Sequence, residues 1–445
     1  MKHLLSKHIR TLLRLLVALP AMLTLTGCVN DYGNCVDPGS DPDPVKLRFT
    51  IVTRALPGSG TGQTRATDAY EEQAGTASEN YLNIAGRDIR FLLFDDEKKL
   101  LRDFTPDVDI TPSDASNYVT YTVRATIAEP YFARVAEQET TGFYIMVIAN
   151  GRPYRLGAFG LATGATTIND VADQLAYFTM PTLTEWPDGS RTGWRPSAPG
   201  NASGEYIPMS GLQYFSLPKG AFDTNGPESF VDLSSENVGK DINMLRAIAK
   251  IEVVDKIDIL DKFPGDRNIE LEKAELFGYC ATGTILPSYG EWNRDVVHPE
   301  TQQVRRPTMA KQLDYHAPNG NIEEPVTWAA EIDFFKDEVA QQAREDGCPV
   351  FSVYVPEYSR EDIGTSVRPY IRVTVQDPDN PNQYSKLYKL QLASYTDGVA
   401  GEDIEALLRN HIYRYEITAV GSIVNIGYTL CPWDTGKSLD VPGFN

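Results

Sequence analysis

Apolar and polar positions alternate over residues 45–52, with Val45, Leu47, Phe49 and Ile51 on one side and Lys46, Arg48 and Thr50 on the other. A period of two marks a strand with one buried face. The same period returns near the far end, where Val424, Ile426, Tyr428 and Leu430 alternate with Asn425, Gly427 and Thr429 ahead of Pro432-Trp433. Between these ends the pattern predicts many short strands. Residues 89–97 read as a strand running into a tight turn at Asp95-Asp96-Glu97, Leu100 opens its partner, and residues 118–123 form another. Residues 143–151 are apolar without a break, the composition of a central strand covered on both faces. A restart follows at Leu245, where Leu245, Ala247, Ala249, Ile251 and Val253 alternate with Arg246, Lys250 and Glu252. Further strands are predicted over 271–279, 349–357, 370–375, 386–392, 409–421 and 424–433. Helical spacing is confined to residues 165–180 and 327–345.

Turn chemistry separates these runs. Residues 28–44 are polar, Asp/Pro/Gly-rich and without periodicity, which reads as a tether, and residues 55–65 and 186–204 have loop composition. With 34 glycines, 29 prolines and 23 tyrosines the chain favours β-structure joined by many turns. Its 445 residues exceed what one core usually fills, about 250–300, so two domains are expected. The restart at Leu245 divides them. The resulting scheme is residues 1–27 as leader, 28–65 as tether and removable strand, 66–240 as a first β-sandwich and 241–445 as a second, an all-β chain with a few short helices.

The first residues read as targeting. Lys2, Lys7, Arg10 and Arg14 precede the apolar run 15–23, and Leu25-Thr26-Gly27-Cys28 ends it. This resembles a bacterial lipoprotein signal peptide, which implies lipidation of Cys28, cleavage before it and export to an outer membrane. Losing those four cations would take the net charge from -20 to -24. So acidic a chain lacks the basic footprint that nucleic acid requires. No later segment is apolar enough to span a bilayer, leaving lipid as the expected attachment. The five cysteines, Cys28, Cys35, Cys280, Cys348 and Cys431, contain no C-x-x-C pair, so buried free thiols are expected rather than a zinc site.

Catalytic signals are sparse. Beyond the leader only His298, His316 and His411 remain, and no phosphate loop, H-E-x-x-H or G-x-S-x-G occurs. Asp95-Asp96-Glu97 and Asp377-Pro378-Asp379-Asn380 have calcium-like composition but read as exposed turns. No enzymatic activity, metal or cofactor is expected.

Several segments together resemble the fimbrillin family of the type V pili of Bacteroidetes. They are the Cys28 lipobox, the short strand before an Arg-Ala bond, residues 144–151, Pro208-Met209-Ser210-Gly211, residues 246–253, Arg409-Asn410-His411-Ile412-Tyr413-Arg414-Tyr415, and Pro432-Trp433. The resemblance implies two transthyretin-like Greek-key β-sandwiches, exported as a lipoprotein to the cell surface. It also implies that an Arg-specific extracellular protease removes the lipidated amino-terminal segment, and that a neighbouring subunit's carboxy-terminal strands fill the groove left behind. Carried onto this chain, the plug strand holds Val45, Leu47, Phe49 and Ile51. The cut falls after Arg65 or Arg54, with Arg65 in the longer loop-like context, and the donor strand holds Val424, Ile426, Tyr428, Leu430 and Trp433. Partners would be other pilus subunits, the protease, the outer membrane before processing, and host or bacterial surface ligands.

Two other readings fit the same residues. A membrane anchor of such a pilus would keep its lipid and its plug, with the last strand staying in its own sheet. A monomeric surface lipoprotein would bind glycan or protein ligands through loops bearing Trp186, Trp194 and Tyr206.

Overall fold

A computed structural model describes residues 44–53, 76–116, 118–135, 138–151, 160–174, 178–179, 184–185, 191–222, 230–233, 241–257, 269–280, 282–283, 285–286, 328–344, 346–356, 358–359, 369–382, 385–396, 399–404, 406–407, 409–419 and 425–432. All of them lie within one compact unit.

The alternating and apolar runs of the first half become strands β1 (Val45–Val52), β2 (Ile89–Asp95), β3 (Leu100–Asp103), β4 (Val108–Pro112), β5 (Thr120–Ile127), β6 (Thr140–Ala149), β7 (Phe178–Thr179), β8 (Thr184–Glu185), β9 (Arg191–Thr192), β10 (Met209–Pro218), β11 (Val231–Asp232), β12 (Ile242–Asn243) and β13 (Leu245–Arg246). Helices α1 (Ala77–Asn80), α2 (Pro130–Val135) and α3 (Ile168–Gln174) are short. One sheet runs β11-β1-β5-β4, with β12 also paired to β1, and the other runs β13-β10-β6-β2-β3. Their facing side chains, including Leu47, Phe49 and Ile51 from one and Phe91, Leu93, Ile145 and Phe215 from the other, merge into one core. This is a two-layer sandwich. Strand β6 is flanked by β10 and β2 and is buried from Thr141 onward, as its unbroken apolar run requires.

The second half contributes β14 (Ile248–Asp255), β15 (Glu270–Cys280), β16 (Thr282–Gly283), β17 (Trp328–Asp333), β18 (Phe335–Lys336), helix α4 (Glu338–Ala343), β19 (Val350–Pro356), β20 (Tyr358–Ser359), β21 (Tyr370–Gln376), β22 (Ser385–Gln391), β23 (Ala393–Thr396), β24 (Val399–Asp403), β25 (Ala406–Leu407), β26 (His411–Ala419) and β27 (Asn425–Pro432). Here the layers are β18-β19-β14-β26-β27 and β22-β21-β15-β17-β9-β8. Ile251, Val253, Val353, Tyr413 and Tyr415 of the first meet Leu276, Ile332, Ile371 and Val373 of the second in a separate core.

Two expectations change. Residues 327–345 are mainly strand, β17 and β18, with only α4 helical. Asp337 caps α4 by accepting the Ala340 N–H at 3.0 Å, and pairing of β17 with β15 overrides the helical spacing upstream. The pairings also change hands later than Leu245. Strand β12 pairs with β1 and β13 with β10, so Ile242, Met244 and Ala247 pack in the first core, and the second sandwich begins at Ile248.

The halves are interlaced. Strand β9 pairs with β17, β16 pairs with β7, and Ile285 and Leu286 of the second half are fully buried in the first core.

Candidate functional site

Strand β1 occupies a seat in the middle of its sheet. Along one side it pairs antiparallel with β5 over its whole length, Val45 opposite Ile127 through Val52 opposite Thr120. The other side is held by two brief parallel contacts, Leu47 and Arg48 with β11, and Ile51 and Val52 with β12. The Leu233 N–H donates to the Arg48 carbonyl at 2.8 Å and the Met244 N–H to the Val52 carbonyl at 2.9 Å. Leu47, Phe49 and Ile51 are fully buried, and the Phe49 ring stands edge-on to Phe91 at 6.2 Å. Alternate outward residues serve solubility, with Arg48 paired to Asp232 at the rim. Four buried apolar side chains, Leu47, Phe49, Ile51 and Val52, at about 1.5–3 kcal/mol each, give roughly 6–12 kcal/mol before entropy. The seat's floor is tight: a Cβ on Gly211 of β10 would lie 2.8 Å from the Asn243 carbonyl and from an Ile242 methyl. Thr53, the residue before Arg54, is buried, and its N–H donates to the Val119 carbonyl at 2.9 Å.

Strand β27 lies at the other end of the molecule's logic. Among the described residues it is an edge strand paired with β26 alone, with Ile426 opposite Ile417 and Tyr428 opposite Tyr415. Ile426 is buried in the second core and Tyr428 packs on it, 5.2 Å from the Tyr415 ring. Leu430 faces Tyr413 in the register. Cys28, Arg54, Arg65, Val424 and Trp433 lie outside the described residues, as do Trp186, His298, His316 and Cys35.

A feature the sequence pattern did not disclose sits between the two cores. Lys250 of β14 donates to Asp337 at 2.9 Å and to Glu79 and Glu252 at 3.0 Å each, and all four side chains are nearly fully buried. Tyr354 donates its hydroxyl to the same Glu79 oxygen that receives Lys250, while Arg414 donates to the second oxygen of Glu252 at 2.9 Å and 3.1 Å. Burial alone lowers the Lys250 pKa, but the surrounding Glu79, Tyr354, Glu252 and Asp337 outweigh it and hold the ammonium well above the ordinary lysine range. Beside it Arg246 donates to Asn410 at 3.0 Å, to the Glu79 carbonyl at 3.3 Å and to the Asn80 side chain. Asn410 adopts φ 59°, a left-handed conformation that asparagine tolerates better than most residues. The strict alternation of Arg246, Lys250 and Glu252 looks identical whether that face meets water or a second buried layer. All of β14 is buried.

The remaining candidates serve packing. Tyr206 is 1 % exposed and its hydroxyl donates to the Ala198 carbonyl at 2.8 Å. Trp194 is partly buried, donates to Glu205 at 3.0 Å and stands edge-on to Tyr354 at 5.7 Å. Asp95 accepts the Lys99 N–H at 2.8 Å in its hairpin, and Asp377 accepts the N–H groups of Asp379 and Asn380 at 3.0 and 3.2 Å. His411 is buried, with Nδ1 2.7 Å from the Arg409 carbonyl, and burial pushes its pKa down. Cys348 is a buried free thiol whose pKa burial pushes up to about 11. Among the described residues no helix is long and apolar enough to cross a membrane.

No protein-family model and no curated protein matches the chain. Among solved structures, the chain is similar to the tip fimbrial protein Mfa3 of Porphyromonas gingivalis with a C-terminal truncation, at 12% identity and TM-score 0.45, over 87% of this chain and 100% of that one. It is also similar to a fimbrial assembly protein of Parabacteroides distasonis, at 12% identity and TM-score 0.39, over 87% of this chain and 99% of that one.

Proposed function

We propose that this chain is a structural or adhesive subunit of a cell-surface pilus, exported as a lipoprotein through Cys28 and polymerised by protease-triggered strand exchange. The observation that carries the reading is the seat of β1: a strand whose Leu47, Phe49 and Ile51 are fully buried, placed upstream of Arg54 and Arg65 in the chain. A cut after Arg65 or Arg54 severs a core strand from the rest. Its loss would expose β5 main-chain groups and an apolar groove, a state that an added strand repairs through hydrogen bonds and alternate side chains. The edge strand β27, where Ile426, Tyr428 and Leu430 keep the same sequence period as β1, is the donor we assign, with Val424 preceding it and Trp433 following it in the sequence. Head-to-tail addition of this kind does not close and builds filaments. Enzymatic activity and nucleic-acid binding have no part in this reading.

A second reading, the lipid-retained anchor, is favoured by the seat of β27, where Ile426 packs in the chain's own second core. Amino-terminal sequencing of subunits sheared from cells separates the two. A start at Ala66 or Ala55 supports the polymerising subunit; a lipidated Cys28 in assembled filaments refutes it in favour of the anchor.

A further inference from the structure

The buried ion cluster has no part in strand exchange, yet its contacts converge on the seat of β1. The β5 wall of that seat, and the strand that directly follows its β12 wall, are both tied to residues 79–82. From β5, Tyr121, which faces Ile51 of β1 in the register, accepts the Leu82 N–H at 2.9 Å and donates to the Asn80 carbonyl at 3.2 Å. From the opposite side, Arg246 of β13, three residues beyond β12, donates to the Glu79 carbonyl and the Asn80 side chain. Next along the chain, the Asn83 N–H donates to Asn150 at 2.8 Å. Residues 79–82 are held in turn by the second sandwich, through the Glu79 carboxylate on Lys250 and Tyr354. Thr76 and Glu79 close a capping box that orients this carboxylate, and α1 is the first described element downstream of Arg65.

We infer that Glu79 is a latch: anchored in the ion cluster, it fixes residues 79–82 and through them the β5 wall of the β1 seat and the strand after its β12 wall, so that the seat keeps its shape when β1 is withdrawn. The inference rests on the reading of β1 as removable. Without such an anchor, a cut after Arg65 would leave a free end at Ala66, only ten residues ahead of Thr76, and unravelling would continue into the wall. With it, the energy of a desolvated charge pair stops the unravelling at Glu79, and the empty groove stays preorganised for an incoming strand.

The test is hydrogen exchange on the uncut chain and on the chain cut by an Arg-specific protease, in wild type, Glu79→Gln and Glu79→Ala, with a synthetic peptide of residues 45–52 as rebinding probe. In the cut wild type the amides of Asn80, Leu82 and Asn83 stay protected. Glu79→Ala speeds their exchange on the order of 100-fold, Glu79→Gln on the order of 10-fold because it keeps the cap acceptor, and both weaken peptide rebinding, while β21 amides are unchanged. Loss of protection at 80–83 in the cut wild type overturns the latch. Wild-type exchange and rebinding in both variants overturns it equally. If amides of β1 itself stay protected after cutting, the removable strand is refuted, a pattern separate from either, and the latch loses its role with it.

Discussion

At the scale of single residues, the consequences are set by which charges are buried. Lys250 satisfies three carboxylates at once, so Lys250→Met leaves Glu79, Glu252 and Asp337 facing one another without their shared cation. Denaturant unfolding should show a loss of about 3–5 kcal/mol. Lys99→Ala, which removes an exposed pair with Glu97, should leave the midpoint unchanged. His411 supplies a pH dependence. Its folded pKa lies below the ordinary 6.5 because burial disfavours the imidazolium. The unfolded chain therefore binds a proton first as pH falls, so stability rises with pH through this window and is lost on acidification below about 6.5. Between pH 7.5 and 5, His411→Asn should flatten that slope; an unchanged slope would show that His411 is not its source.

At the scale of elements, β1 is held mainly by the side chains of one face, Leu47, Phe49 and Ile51. Phe49→Ala should cost about 3–5 kcal/mol in the uncut chain, since the ring leaves a cavity against Phe91 that the paired sheets cannot fill. Thr50→Ala, on the outward side, should change little, and thermal unfolding of the two variants measures the contrast. If the proposed cut releases β1, the cut chain should be insensitive to residue 49. Strand β27 behaves differently because, among the described residues, one of its edges is unpaired. Its amides should exchange faster than those of β14, which lies between β19 and β26.

At the scale of the whole molecule, the interlacing of β9 with β17 and β16 with β7, together with the ion cluster, argues for one cooperative unit. Calorimetry should give a single transition for both sandwiches. Two resolved transitions would show that these links are too weak to couple the cores.

The strand content was legible because a two-residue period needs no knowledge of the partner strand: β1, β6, β14, β21 and β27 all lie where apolar side chains alternate or run on. Which face of a strand meets water was not legible. The polar side of β14, with Lys250 and Glu252, is covered by a second layer that only folding brings there, drawn from Glu79 and Asp337, 171 and 87 residues away along the chain. Helical spacing at 327–345 likewise yielded to pairing with β15, a contact between segments about fifty residues apart. Local pattern decides the kind of element; the desolvation of charge and the choice of strand partner belong to tertiary structure, because both depend on atoms remote in sequence.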